Sequence, residues 1–346
     1  GRPSSGGSKA AYPCKSYGQG RINPAYFYGI FDPNDMRRDV SITMTGSNGK
    51  GVEKLIPFVP NSKAEGGGLT LNKWDENRQA NPWVAAQRKS GINGPYMRMS
   101  EVYLGYAEVC AALGDVVTGK QYLKTVRERS FPQGLANTDA FIASFGNDLV
   151  RAIIEERGFE YAGEGDRRWT LIRSGYLPED IKRIKDMTKA MMDGLATKGY
   201  YEFENGNIIS AYIWTKLVDA KTIYGHRLTA QCPTDKVNDP VLYPGWRGQK
   251  DNWEEMGLNY GSSTPATNLA IKGLFEIVSE EEAASLESQG YTKVNWGIDL
   301  VDNRDEYDKY LFWDYDYVSA PIYLWPFTPN VMAAGGFTNG YGFKQE

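Results

Sequence analysis

The chain has 346 residues, a formal net charge of −4 and 41% hydrophobic residues. That is enough apolar side chain for a folded core in one large or two modest domains, and the acidic balance argues against a nucleic-acid-binding face. Three widely spaced cysteines (Cys14, Cys110, Cys232) and a single histidine, His226, indicate neither a disulfide framework nor a metal centre, so no cofactor and no metal is expected.

No apolar run approaches the ~20 residues needed to cross a bilayer. Residues 1–8 lack the apolar segment of a signal peptide, and no such segment precedes Cys14, which therefore does not read as a lipidated cysteine.

Residues 1–95 read as a loop-rich segment, because Gly, Pro, Asn and Ser recur every few positions. Within it, Val40-Ser41-Ile42-Thr43-Met44 alternates like a strand and runs into the turn Gly46-Ser47-Asn48-Gly49. From residue 96 the pattern changes. Met99, Val102, Tyr106, Cys110 and Leu113 recur at helical spacing and predict an apolar stripe, Gly114-Asp115 ends the helix, and Tyr122, Leu123 and Val126 line a second helix. The pair over residues 96–130 is an αα-hairpin of tetratricopeptide kind, and one such unit cannot bury its own face.

Thr138-Asp139 is expected to cap a third helical region reaching about Ala162, with Gly146-Asn147 as a possible break. Pro178-Glu179-Asp180 opens a helix ending near Gly194. Two apolar runs then flank Asn205-Gly206, a tight-turn signal for a β-hairpin. Residues 225–268 read as loop, residues 280–290 as a short acidic helix, and the aromatic tail from Tyr315 as irregular chain.

Several chemistries can be tested against spacing. Gly46-Ser47-Asn48-Gly49-Lys50-Gly51 has two residues between its first glycines where a phosphate loop needs four. Gly18-Gln19-Gly20 lacks the third glycine of a dinucleotide fingerprint. Asp302-Asn303-Arg304-Asp305-Glu306 lacks the glycine and terminal glutamate of a calcium loop. Glu155, Glu156, Glu160, Glu164 and Asp166 stand among Arg157, Arg167, Arg168 and Arg173. A pair of such carboxylates could serve a glycoside hydrolase, but arginines at this density would hold them ionised and favour structural ion pairs.

The same cluster carries a family resemblance. Glu156-Arg157-Gly158-Phe159-Glu160-Tyr161-Ala162-Gly163-Glu164-Gly165-Asp166-Arg167-Arg168-Trp169-Thr170-Leu171-Ile172-Arg173 resembles the E-R-x-x-E-L-x-x-E-G-x-R-x-x-D-L-x-R signature of the SusD/RagB family, with Thr170 in place of the usual Asp. Asn93-Gly94-Pro95-Tyr96-Met97-Arg98-Met99-Ser100-Glu101-Val102-Tyr103-Leu104-Gly105-Tyr106-Ala107-Glu108, Tyr122-Leu123-Lys124-Thr125-Val126-Arg127-Glu128-Arg129 and the tail Ala320-Pro321-Ile322-Tyr323-Leu324-Trp325-Pro326-Phe327 resemble further family segments in the same order.

The resemblance implies a mainly α fold: a tetratricopeptide-like α-α superhelix scaffold with long irregular loops and a small β-hairpin. Residues 96–346 would form the C-terminal region of a longer protein whose leader, lipidated cysteine and earlier helical units are not in this chain. It implies a non-enzymatic, lipid-anchored protein on the extracellular face of the outer membrane. Its ligand would be an oligosaccharide or polysaccharide, in some members a peptide, delivered to a SusC-like TonB-dependent transporter. Arg98, Glu101, Glu156, Arg157, Glu160, Glu164 and Arg167 would be structural ion-pair partners.

Ligand residues do not follow from the family segments, so aromatic and amide groups in loops are the candidates, since sugar rings stack on Tyr and Trp. Tyr26 and Tyr28 head one group, with Tyr12, Tyr17, Arg21 and Phe27. Arg78, Asn81 and Trp83 form a second, and Trp246 and Trp253, with Arg247 and Asn252, a third. Trp74 reads as scaffold, and Trp169, inside the ion-pair segment, as core. A protein-interaction scaffold and a glycoside hydrolase remain the alternatives.

Overall fold

The computed structural model describes residues 21–47, 53–56, 58, 68–71, 73–74, 94–131, 134–219, 267–305, 323, 327–336 and 338. Among these residues the fold is mainly helical, with small antiparallel sheets.

The amino-terminal part is more regular than its composition predicts. β1 (Arg21–Ile22) leads into a π-helical turn, Tyr26–Ile30, and then α1 (Arg37–Ser41). The alternation read as one strand over 40–44 is divided: Val40 and Ser41 finish α1, and β2 is only Ile42–Thr43. β3 (Thr45–Ser47) pairs with β4 (Glu53–Leu55), so Gly46 and Ser47 lie in a strand and not in the turn. β5 (Leu69–Leu71) completes a three-stranded sheet of order β1-β5-β2.

α2 (Met99–Ala112) and α3 (Val116–Glu128) form the predicted αα-hairpin. Gly114, at φ +89°, ends α2, and the Asp115 carboxylate accepts from the Thr118 N–H to start α3. The helices meet through small residues: a Cβ on Gly119 would lie 3.0 Å from the Ala107 carbonyl oxygen. That close approach decides which way α2 faces. Leu104, Ala107 and Cys110 point inward, while Met99, Val102, Tyr106 and Leu113 are exposed. The expected stripe is thus largely inverted. α2 is apolar on both sides, so periodicity alone does not choose between them.

α4 (Thr138–Ala143) is capped by the Asn137 side chain, one residue before the predicted cap, and Gly146 and Asn147 both take φ +65° to separate it from α5 (Leu149–Glu160). α6 (Asp166–Ser174), bracketed by left-handed Gly165 and Gly175, has no counterpart among the sequence expectations. α7 (Leu177–Lys198) runs past Gly194, which packs against Tyr201, and stops at left-handed Gly199.

β6 (Tyr200–Glu202) and β7 (Ile208–Ser210) make the hairpin. Its loop has three residues, not two. The Phe203 carbonyl accepts from Gly206, and the Phe203 N–H donates to the Asn207 carbonyl, with Gly206 left-handed. β8 (Tyr212–Asp219) is the central strand of a second sheet, between β9 (Thr267–Lys272) and β10 (Thr292–Asn295). The acidic helix α8 (Glu280–Ser288) begins with a capping box from Ser279 and Glu282. α9 (Gly297–Asp302) follows β10, and α10 (Pro329–Gly335) replaces irregular chain in the tail.

One core unites these pieces. Phe27, Tyr28, Phe31, Met44 and Leu69 pack with Phe159, Met191, Phe203, Ile213, Phe275 and Trp296, so its side chains come from both sides of residue 95. A second cluster, built on Leu104, Ala107, Leu123, Val126, Ala152 and Ile153, joins the hairpin to α5.

Candidate functional site

α5 is buried along nearly its whole length although it carries Arg151, Glu155, Glu156, Arg157 and Glu160. Charges in such a place survive only with partners on each oxygen and nitrogen. Glu156 and Glu160, four residues apart, share one helix face. Glu156 accepts from Arg37 at 2.6 Å and from Arg127 at 3.0 Å. Glu160 pairs with Arg98 and Arg129, and with Arg37 at 3.1 Å. Arg98 also binds Glu164 at 2.8 Å and the Glu160 carbonyl at 2.7 Å, while Lys73 pairs with Glu164. Asp35 holds Arg37 from behind at 2.7 Å.

A second knot lies one residue round the helix. Glu155 accepts from Arg167 at 2.8 Å and Arg183 at 2.7 Å, and both arginines also bind Asp180, at 2.9 and 2.6 Å. In a third, Arg157 bonds Asp166 at 2.5 Å and Thr170 at 3.2 Å, and the Thr170 hydroxyl donates to Asp166 at 2.9 Å. Thr170, where the family pattern has Asp, therefore bridges an acid and a base by hydrogen bonds alone. Glu101 stands 3.8 Å from Arg157.

The electrostatics follow from the partners. Burial by itself would raise the carboxyl of Glu155, but Arg167 and Arg183 outweigh it and hold the group down at about 2. Glu160 is likewise held at about 2, burial being overcome by Arg37, Arg129 and Arg98. Burial depresses the Lys73 ammonium despite Glu164 beside it. Carboxylates so acidic carry no proton to give near neutrality, so neither Glu155 nor Glu160 is suited to be the proton donor of a glycoside hydrolysis.

Arg98, Glu156, Glu160 and Glu164 thus meet in one network, while Arg157 and Arg167 anchor the other two. The partners that sequence reasoning passed over are Asp35, Arg37, Lys73, Arg127, Arg129, Asp180 and Arg183. Arg127 and Arg129 stood inside a quoted family segment, so their signal was available. Asp35 and Arg37 lie in the stretch without periodicity and gave none.

The aromatic candidates fare differently. Tyr28 is 0% exposed. It stacks on Phe203 and accepts from the Trp296 indole at 2.8 Å, so it presents no face to a ligand. Tyr26 is half-buried, donates its hydroxyl to the Gly158 carbonyl at 2.8 Å and packs edge-on against Phe31. Both tyrosines pin the π-helical turn to the core, and burial pushes their hydroxyls well above the usual tyrosine range.

Trp169, read as core, is 54% exposed, because α6 turns Thr170 and Leu171 inward instead. Arg78, Asn81, Trp83, Trp246, Arg247, Asn252, Trp253, Tyr12, Tyr17 and His226 lie outside the described residues.

A family model described as the SusD family matches residues 4–326. The curated "SusD-like protein P25" of Formosa agariphila is 28% identical over 160 residues, 46% of this chain and 26% of that protein. The alignment thus spans about a quarter of that relative's length. No solved structure matches the chain.

Proposed function

We propose that this chain, which belongs to the SusD family, binds a glycan at the cell surface without cleaving it and passes it to a SusC-like TonB-dependent transporter. The family is known for glycan binding in nutrient uptake and for outer-membrane-associated lipoproteins. The observation that carries the reading is the family match over residues 4–326, which takes in the scaffold and the intervening loops alike. The absence of catalysis draws support from α5, where the carboxylates nearest to an acid–base pair are occupied by arginines and held at about 2. Among the described residues no helix is long and apolar enough to cross a membrane, and attachment to the outer membrane is assigned to a lipid anchor, as in the family.

The outer surface of the helix pair favours a protein-interaction role beside glycan binding. Val102, Tyr106, Val109, Leu113 and Val117 form an apolar row of the kind that marks a protein contact. Ligand contact is assigned to Arg78, Asn81 and Trp83 and to Trp246 and Trp253.

Affinity gels and a glycan array, with reducing-sugar release assayed in the same samples, test the reading. Binding without release is expected, and Trp83→Ala or Trp253→Ala should weaken it. Release of sugar would overturn the non-catalytic assignment. Binding to peptides alone would overturn the glycan.

A further inference from the structure

The sheet β10-β8-β9 has two unlike faces. Side chains alternate along a strand, and directly paired residues share a face. Ile213, Ile271, Leu269 and Val294 face the core. The other face centres on Trp214, whose register partners are Lys272 on β9 and Lys293 on β10. Two residues away on β8, Tyr212 and Lys216 flank it.

The Lys293 ammonium lies 4.3 Å from the Tyr212 ring centre and 5.7 Å from that of Trp214. Lys216 reaches 5.8 Å from the Tyr291 ring centre and donates to the Gln289 carbonyl at 2.7 Å. Three lysines and three aromatic rings therefore share one side of one small sheet.

None of the three lysines forms an ion pair among the described residues, although every charge buried around α5 has one. Glu282 is held by Ser279 in the capping box of α8. Glu280, Glu281 and Glu287 on α8 are exposed and pair with none of the three lysines. At the centre, Trp214 is buried, yet its indole N–H has no acceptor among the described residues. A buried donor without an acceptor is costly, and an incoming oxygen would relieve it.

We propose that this face binds the charged groups of an anionic glycan: Lys272 and Lys293 take a carboxylate or sulfate, and Tyr212 beside them contacts the sugar ring. The inference rests on the glycan-binding reading above and narrows it to a polyanion. A neutral glycan would satisfy the rings and leave the ammoniums without counter-charge. An anionic one matches both, since charge-assisted hydrogen bonds to ammonium are the stronger kind.

The test is affinity electrophoresis of the full chain in gels containing polygalacturonate, dextran sulfate or neutral dextran. Retardation by a charged polymer is expected, its two forms distinguishing carboxylate from sulfate. Lys272→Gln/Lys293→Gln should weaken it about tenfold and flatten its dependence on salt. Lys124→Gln/Lys182→Gln, exposed lysines elsewhere, should leave it unchanged. Tyr212→Ala, which keeps the charge, should weaken it as well if the sugar ring is held.

Equal retardation of both double variants would overturn the proposal, as would retardation by neutral dextran alone. Either result leaves the glycan reading standing. Failure to bind any polymer here or any glycan on the array would remove both.

Discussion

Helices α5 and α2 invert the usual rule in opposite ways. α5 places five charged side chains where water does not reach, while α2 leaves Met99, Val102, Tyr106 and Val109 in solvent. On α5 each carboxylate meets two or three guanidinium partners, so desolvation is offset locally. On α2 the inward side is filled by Leu104, Ala107 and Cys110, while on the outward side Tyr106 meets the Tyr122 ring edge-on and Met99, Val102 and Val109 stay exposed. Side-chain polarity alone predicts burial poorly here; the availability of a partner decides it.

The sharpest way to break this contrast is to remove one partner from the buried network. Glu156→Ala takes the close partner from buried Arg127 and one of three from Arg37, and should cost about 3–5 kcal/mol, read as a lowered denaturation midpoint. A change under about 1 kcal/mol would show that the network is not needed for the fold. Leu104→Ala, on the buried side of α2, should cost about 2–5 kcal/mol by the same measurement.

Acid attacks the network without mutation. The folded values of Glu155 and Glu160, about 2, lie below the unfolded value near 4.5. Their contribution is therefore whole above about pH 4.5 and is lost as pH falls towards 2, on the order of 3 kcal/mol for each group. Thermal unfolding followed from pH 7 to pH 2.5 should show a steep fall in Tm below about pH 4.5, and a flat profile would contradict the ion-pair account.

Thr170→Val removes two hydrogen bonds while keeping shape and should cost about 1–2 kcal/mol. Val117→Ser, on the open side of the helix pair, should change stability by less than about 0.5 kcal/mol while lowering binding of a hydrophobic dye.

Much of this was legible beforehand. The positions of α2, α3, α5 and the start of α7, the break at Gly146-Asn147 and the acidic helix at 280 follow from capping, glycine and periodicity, which act over a few residues; α6, α9 and α10 did not. The facing of α2 was not legible, because the choice rests on Gly119 meeting Ala107 across the hairpin. The length of α7 was misjudged for a related reason: Gly194 reads as a stop but is a contact point for Tyr201. In the ion-pair network, the acids and Arg157 announced themselves by density, whereas Asp35 and Arg37 come from a stretch more than a hundred residues away. The burial of Tyr26 and Tyr28 was hidden likewise, since Gly158, which Tyr26 bonds, and Phe203 and Trp296, which meet Tyr28, lie far along the chain.

The clamp on the π-helical turn also has a consequence in time. The Asn205 amide donates to the carbonyls of Tyr28 and Phe31, 177 and 174 residues earlier, and Asn207 adds another bond to Tyr28. None of these can form until residue 205 has been synthesised, and the full set waits for residue 207. At ~5–20 residues per second, that leaves Phe27, Tyr28 and Phe31 without their native cover for on the order of 10–35 s. During that interval the nascent chain presents an aromatic segment that the hairpin at residues 200–210 begins to cover and that Phe275 and Trp296 cover only later.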